Sequence, residues 1–248
     1  MSGVHRVEAG PGGGGDRAAP GGSPPAERVW YASYGSNTHL ARLRSYLTGG
    51  RAPGGSRTYP GCRDPRPPER SVAVELPGTV YFATESPVWG GGRAFYDPAE
   101  PGWVWARAHL VTAGQFADIA AQEMYRTPGT DLDLTPVLTG GRTRLGPGRY
   151  ETLVHPGTVD GFPLLTFTAP WRLREIEWCP PSAGYLRHLA LGLLEAGAWR
   201  PAAIARYLAA LPGAAGHWTA ADVRRLLAGG YGDGGTGGAA ARRAEPGR

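Results

Sequence analysis

A chain of 248 residues with a formal charge of +5 is long enough for one large domain or two small ones. All of its basic side chains are arginine, lysine being absent, and they are spread without a basic run, so they read as compositional bias on a solvated surface and not as a nucleic-acid face. No apolar run reaches the roughly 20 residues a membrane-crossing helix needs, and the Gly-rich start lacks the apolar segment of a secretory signal.

Residues 1–27 and 229–248 are dominated by Gly, Pro, Ala and scattered charge, and are expected to be disordered because they hold too little apolar surface to offset chain entropy. Between them, Val29-Trp30-Tyr31-Ala32-Ser33-Tyr34 reads as a buried strand that ends at the turn signal Gly35-Ser36-Asn37. Leu40, Leu43 and Leu47 then recur at helical spacing over residues 38–47, and Gly49-Gly50 closes that helix. Residues 51–70 show no period and read as a long loop or flap. Further strands are expected at residues 78–84, 104–111, 150–154 and 162–167. Trp89-Gly90-Gly91-Gly92 lies among them, where side-chain-free residues would let a backbone or a ligand come close.

Thr112-Ala113-Gly114-Gln115 has the form of a capping box and should start a helix running to about Met124. Phe116, Ile119 and Ala120 define its apolar stripe, Glu123 falls near the middle of that stripe, and Asp118 and Gln122 are expected to point away. A carboxylate aimed at a core is costly unless it is paired, hydrogen-bonded or protonated, which singles out Glu123. The last third reads as three short helices, striped by Tyr185, Leu186, Leu189 and Leu193, then Ile204, Tyr207, Leu208 and Leu211, then Val223, Leu226 and Leu227. Pro201 sits near the start of the second, and Thr219 with Asp222 starts the third. They form a helical appendage with no polar cluster suited to catalysis.

The six histidines are isolated from one another, and Cys62 and Cys179 form no CxxC pair, so neither a metal site nor a disulfide framework is indicated. Metal-dependent amide hydrolysis such as deacetylation is therefore not expected, and a reducing, cytoplasmic setting is. Ser36 sits on a strand-to-helix turn, but Tyr34 and Thr38 stand where a nucleophile elbow needs glycines. The glycine runs match neither the dinucleotide nor the Walker pattern, so no cofactor is implied. By itself the Tyr34-Gly35-Ser36-Asn37 turn offers a generic anion or oxyanion cradle.

The string Tyr31-Ala32-Ser33-Tyr34-Gly35-Ser36-Asn37 resembles the Y-F-A-Y-G-S-N-L segment that opens the γ-glutamylcyclotransferase-like proteins. Trp89-Gly90-Gly91-Gly92-Arg93-Ala94-Phe95 is similar to that family's W-G-G-G-x-A stretch, and Gln122-Glu123 falls where the family places its acidic catalytic residue. The chain departs from the pattern at Thr38, where Leu is common, and at Met124, where Gly is usual. The resemblance covers residues 29–126 and implies an α+β fold: a mixed β-sheet or barrel with flanking helices, here a catalytic domain over residues 28–178 and a helical appendage over 179–228.

The resemblance also implies a cofactor-independent reaction in which the α-amine of a γ-glutamyl compound attacks its own γ-carbonyl, giving 5-oxoproline and a free amine. Glu123 would move the protons, the loop of Tyr34, Gly35, Ser36 and Asn37 would hold substrate, and Trp89, Gly90 and Gly91 would form the opposite wall. The partner is then a small γ-glutamyl molecule, with no nucleic acid and no membrane, and the sequence leaves the oligomeric state open. Three rivals remain: a non-catalytic binding protein on the same fold, in which Glu123 is solvent-exposed or tied to Arg93 or Arg107; removal of a γ-glutamyl protecting group from a biosynthetic intermediate; and cyclisation of a γ-glutamylamine.

Overall fold

The structure, a computed structural model, describes residues 3–7, 27–51 and 57–229. The first strands and helix are β1 (His5–Arg6), β2 (Arg28–Ser33), a short 3-10 turn (Ser36–Thr38) and α1 (Leu40–Thr48). There follow the strands β3 (Gly50–Arg51), β4 (Thr58–Tyr59), β5 (Arg70–Pro77), β6 (Thr79–Glu85), β7 (Gly92–Asp97) and β8 (Trp103–Thr112). Helices α2 (Ala113–Glu123) and α3 (Thr135–Gly140) precede β9 (Arg142–Arg144), β10 (Thr152–Val159) and β11 (Phe162–Thr168). The chain then runs through α4 (Ala183–Glu195), α5 (Pro201–Ala210) and α6 (Ala220–Ala228). None of these helices is long and apolar enough to cross a membrane.

The fold is α+β. Seven strands form one mixed sheet in the order β1-β5-β8-β2-β11-β10-β9, and β6 with β7 forms a separate antiparallel ribbon. The ladder stays open at its ends, and the ribbon joins it through a side chain. Thr168 at the end of β11 accepts from the Tyr96 amide at 3.0 Å and donates to the Tyr96 carbonyl at 2.7 Å.

Alternation along β2 explains the layering, because successive side chains of a strand point to opposite faces. Val29 and Tyr31 join a core built with Leu43, Tyr46 and Leu47 of α1 and Phe116, Ile119 and Ala120 of α2. Trp30, Ala32 and Tyr34 join the core on the other face, built with Leu186, Leu189 and Leu193 of α4 and with Ile204, Leu208 and Val223 of α5 and α6. The last three helices therefore cover part of one sheet face beside the β6–β7 ribbon and share its core, which is more than an appendage. Gly192 permits the approach: a Cβ there would come within 2.2 Å of Thr38 Oγ1.

Other expectations shift at their edges. Residues 3–7 are described, β1 pairs in parallel with β5, and Val7 is buried, so this part of the first 27 residues belongs to the sheet; residues 8–26 and 230–248 lie outside the described residues. The expected capping box of Thr112 with Gln115 forms on α2, and Thr219 with Asp222, expected to start the last helix, forms one on α6 as well. In α2, however, Asp118 and Gln122 are fully buried instead of pointing to solvent. Asp118 accepts from the Arg63 amide at 2.8 Å and the Gly129 amide at 3.0 Å, and Gln122 donates to the Tyr46 carbonyl at 3.0 Å, because the segment after β4 lies over that side of the helix.

The Trp89-Gly90-Gly91-Gly92 stretch is a close approach of backbone to backbone. A Cβ on Gly92 would come within 1.9 Å of the Cys179 carbonyl oxygen, and one on Gly91, where φ is +84°, within 2.6 Å of the Pro180 oxygen. Gly90 has nothing within 4 Å, and its φ of +62° alone favours glycine. Gly92→Ala should thus cost about 1–3 kcal/mol, as overpacking does, lowering Tm by several degrees in thermal unfolding. Gly90→Ala should cost less.

Candidate functional site

The 3-10 turn after β2 is held from three directions. Arg42 of α1 donates from Nε to Ser36 Oγ at 2.9 Å, Tyr34 donates to the Phe167 carbonyl at 2.8 Å, and His188 of α4 meets the Ser36 carbonyl at 3.0 Å through Nε2. A carbonyl oxygen only accepts, so His188 Nε2 carries the proton. Burial, helped by His39 and Arg42, pushes the His188 ring down to about 3, and burial does the same to His109, which lies opposite Tyr31 on β8. Both rings stay neutral in the fold.

Asn37 carries the link that matters most. It is 2% exposed, and its Nδ2 donates both to Tyr31 Oη at 3.2 Å and to Glu123 Oε1 at 3.1 Å. Glu123 is the last residue of α2, half-buried, at the C-terminal end of the face that carries Phe116, Ile119 and Ala120. It forms no ion pair among the described residues. Arg107, one of its two candidate partners, pairs with Glu195 at 3.1 Å, and Arg93 donates to the Glu85 carbonyl.

Glu123 stands where two adjoining clefts meet. One is lined by the Tyr34-Gly35-Ser36-Asn37 loop together with Tyr31 and Phe167. The other is lined by Arg42, Arg57, Arg93, Tyr59, Trp89 and Tyr125. Ser36, Glu123, Tyr150 and Tyr185 belong to both walls. The structure thus brings Tyr34, Gly35, Ser36, Asn37 and Trp89 to one site with Glu123. Gly90 and Gly91 line neither cleft: Gly91 serves the contact with Pro180, and Gly90 has open space beside it.

The phenols at the site differ in where their protons go. Tyr34 donates to the Phe167 carbonyl and Tyr150 to the Ala94 carbonyl at 3.1 Å. Tyr185 instead accepts, from the Ala94 amide at 3.3 Å, which leaves its own O–H for another acceptor. Burial raises all of them, Tyr185 to about 12, so they act as donors and not as bases. Tyr185 comes from α4, and sequence reasoning saw it only as part of an apolar stripe. Tyr150, Arg42 and Arg57 were equally unmarked, and Arg93 was named only as a possible ion-pair partner of Glu123; Arg42, in the first turn of α1 just after the loop, was the one whose sequence position could have flagged it.

No family model matches the chain. Over 192 residues, 68% of its length, it is 30% identical to Histone deacetylase 5 of Arabidopsis thaliana, and it spans 28% of that protein. Among solved structures, it is similar to the uncharacterized human protein loc79017, with 15% identity, a TM-score of 0.46 and coverage of 82% of this chain and 99% of that one. It is also similar to a gamma-glutamyl cyclotransferase, with 15% identity, a TM-score of 0.44 and coverage of 82% and 100%. Among the described residues of this chain, no group of three or more His, Cys, Asp and Glu is placed to hold a metal.

The neutral histidines give the fold a definite acid response. Their folded pKa lies below the ordinary 6.5, so the unfolded chain takes up the proton first. The stability they support is complete above about pH 6.5 and drains away as pH falls toward 3. Denaturant unfolding at pH 7, 5.5 and 4 should show this decline, with a shallower slope in His188→Gln.

Proposed function

We propose that this chain is a cytoplasmic, cofactor-independent enzyme of the γ-glutamylcyclotransferase-like kind, converting a γ-glutamyl compound to 5-oxoproline with release of an amine. One observation carries the reading: an unpaired, half-buried carboxylate at the junction of two clefts, oriented by the Asn37 amide of the substrate loop. A binding protein that used Glu123 only as a structural ion pair would tie it to a neighbouring arginine, and Arg93 and Arg107 are engaged elsewhere.

The two clefts suit the two halves of such a substrate. The glutamyl part occupies the cleft beside the loop, the departing amine occupies the arginine-lined cleft, and the γ-amide lies between them at Glu123. Holding that folded conformer supplies proximity, since nucleophile and carbonyl belong to one molecule. Glu123 takes a proton from the α-nitrogen as that nitrogen bonds to the γ-carbonyl carbon, the carbonyl oxygen gains negative charge, and the same proton passes to the amide nitrogen as the old C–N bond breaks. The spare O–H of Tyr185, at the same junction, donates to the charged oxygen while the ring closes.

Glu123→Gln keeps the size of the side chain and its contact with Asn37 but removes the base. Turnover should fall by roughly 10²–10⁴, the range for losing a general acid–base group. The assay incubates the protein with a panel of γ-glutamyl dipeptides and γ-glutamylamines and follows 5-oxoproline by mass spectrometry. Unchanged turnover of a confirmed substrate would end the assignment. Tyr185→Phe retains the ring that packs 5.3 Å from Trp89 but takes the acceptor from the buried Ala94 amide, so Tm should fall by a few degrees while KM stays nearly unchanged. Its kcat should drop about 10²-fold, as on loss of one oxyanion donor.

A further inference from the structure

The arginine-lined cleft has more positive charge than the chain itself neutralises. Arg42, Arg57 and Arg93 line it, and Glu123 is the one carboxylate among its lining residues, an excess of two positive charges. Two of these arginines are built into the interior. Arg42 is 4% exposed and Arg93 is 7% exposed, and Arg42 Nη1 and Arg93 Nε are buried with no hydrogen-bond partner among the described residues. None of the three forms an ion pair among the described residues, although Arg63, Arg107, Arg126 and Arg172 do elsewhere in the chain.

What does touch these groups is neutral. Arg42 donates to Ser36 Oγ and Tyr59 Oη and lies 5.3 Å from the centre of the Trp89 ring. Arg57 donates to the Gln122 carbonyl at 3.2 Å and lies 4.3 Å from the centre of the Tyr125 ring. Aromatic faces and hydroxyls orient a guanidinium but do not cancel its charge, and a buried, incompletely bonded cation is costly. Planar N–H forks held in place this way suit the oxygens of phosphates and carboxylates.

We propose that the amine leaving through this cleft bears a dianionic group, so that the substrates are γ-glutamyl conjugates of acidic amines and not of neutral ones. The proposal rests on the cyclisation reading for the direction in which the substrate lies. Two chemistries supply such a group, a phosphate monoester and a pair of carboxylates, and both place anionic oxygens against the same guanidinium donors.

The test compares four synthetic γ-glutamyl conjugates, of phosphoethanolamine, glutamate, alanine and ethylamine, by the rate of 5-oxoproline release. The expected order of kcat/KM places one or both dianionic conjugates about 10-fold above alanine and about 10²-fold above ethylamine, roughly one order per charge contact. The phosphoethanolamine and glutamate arms tell the two sources apart. Arg57→Gln should compress the spread between dianionic and neutral conjugates, and added phosphate should compete with the dianionic ones. Equal kcat/KM across the four overturns the inference and leaves the cyclisation reading standing.

If no conjugate is turned over, the cyclisation reading fails, and calorimetry on the same protein decides the cleft on its own. Saturable binding of phosphoethanolamine or glutamate, without binding of ethylamine and weakened in Arg57→Gln, supports an anion site. Absence of binding overturns it.

Discussion

The hydrogen bond from Asn37 to Glu123 ties the turn that ends β2 to the last residue of α2. Asn37 follows β2 at the centre of the sheet, and Glu123 closes a helix that packs on one of its faces. Their meeting requires the turn after β2 to be stiff. Arg42 secures it from the side of α1, His188 from the opposite layer, and Tyr34 through the neighbouring strand β11. A carboxylate placed by a single amide is only as well aimed as the backbone that carries the amide, and here that backbone is braced from both faces of the sheet.

That bracing depends on the alternation in β2. Because Tyr31 and Trp30 face opposite layers, each layer positions part of the site. Tyr31 supports Asn37 from the α1 and α2 side, while Tyr185 reaches the junction of the clefts from the α4 side. The arginines likewise come from different places, α1, β7 and the segment before β4, and converge on one opening.

Much of this was legible in the sequence wherever the chemistry was local. The capping boxes at Thr112 and Thr219 form as their spacing requires, since both partners lie within four residues. The strand before Gly35 was readable for the same reason. What the sequence concealed was set by distant partners. Asp118 and Gln122 looked like a solvent face until the segment around Cys62 and Arg63 covered them. Gly91 looked like a ligand wall because a glycine permits close approach without naming what approaches, and the answer was the backbone at Pro180. The short strand β9 and the six-residue α3 carry too few residues to show a period.

The placement of Tyr185 has a consequence for modularity. Read by motif, the catalytic unit ends before residue 179, and the helices beyond it look like cargo that could be exchanged or deleted. Tyr185 lines both clefts, His188 holds the Ser36 carbonyl, and the missing side chain of Gly192 lets α4 lie against Thr38. The smallest unit that can hold this site together therefore includes α4, and a boundary drawn by sequence motifs alone would pass through the wall of the pocket.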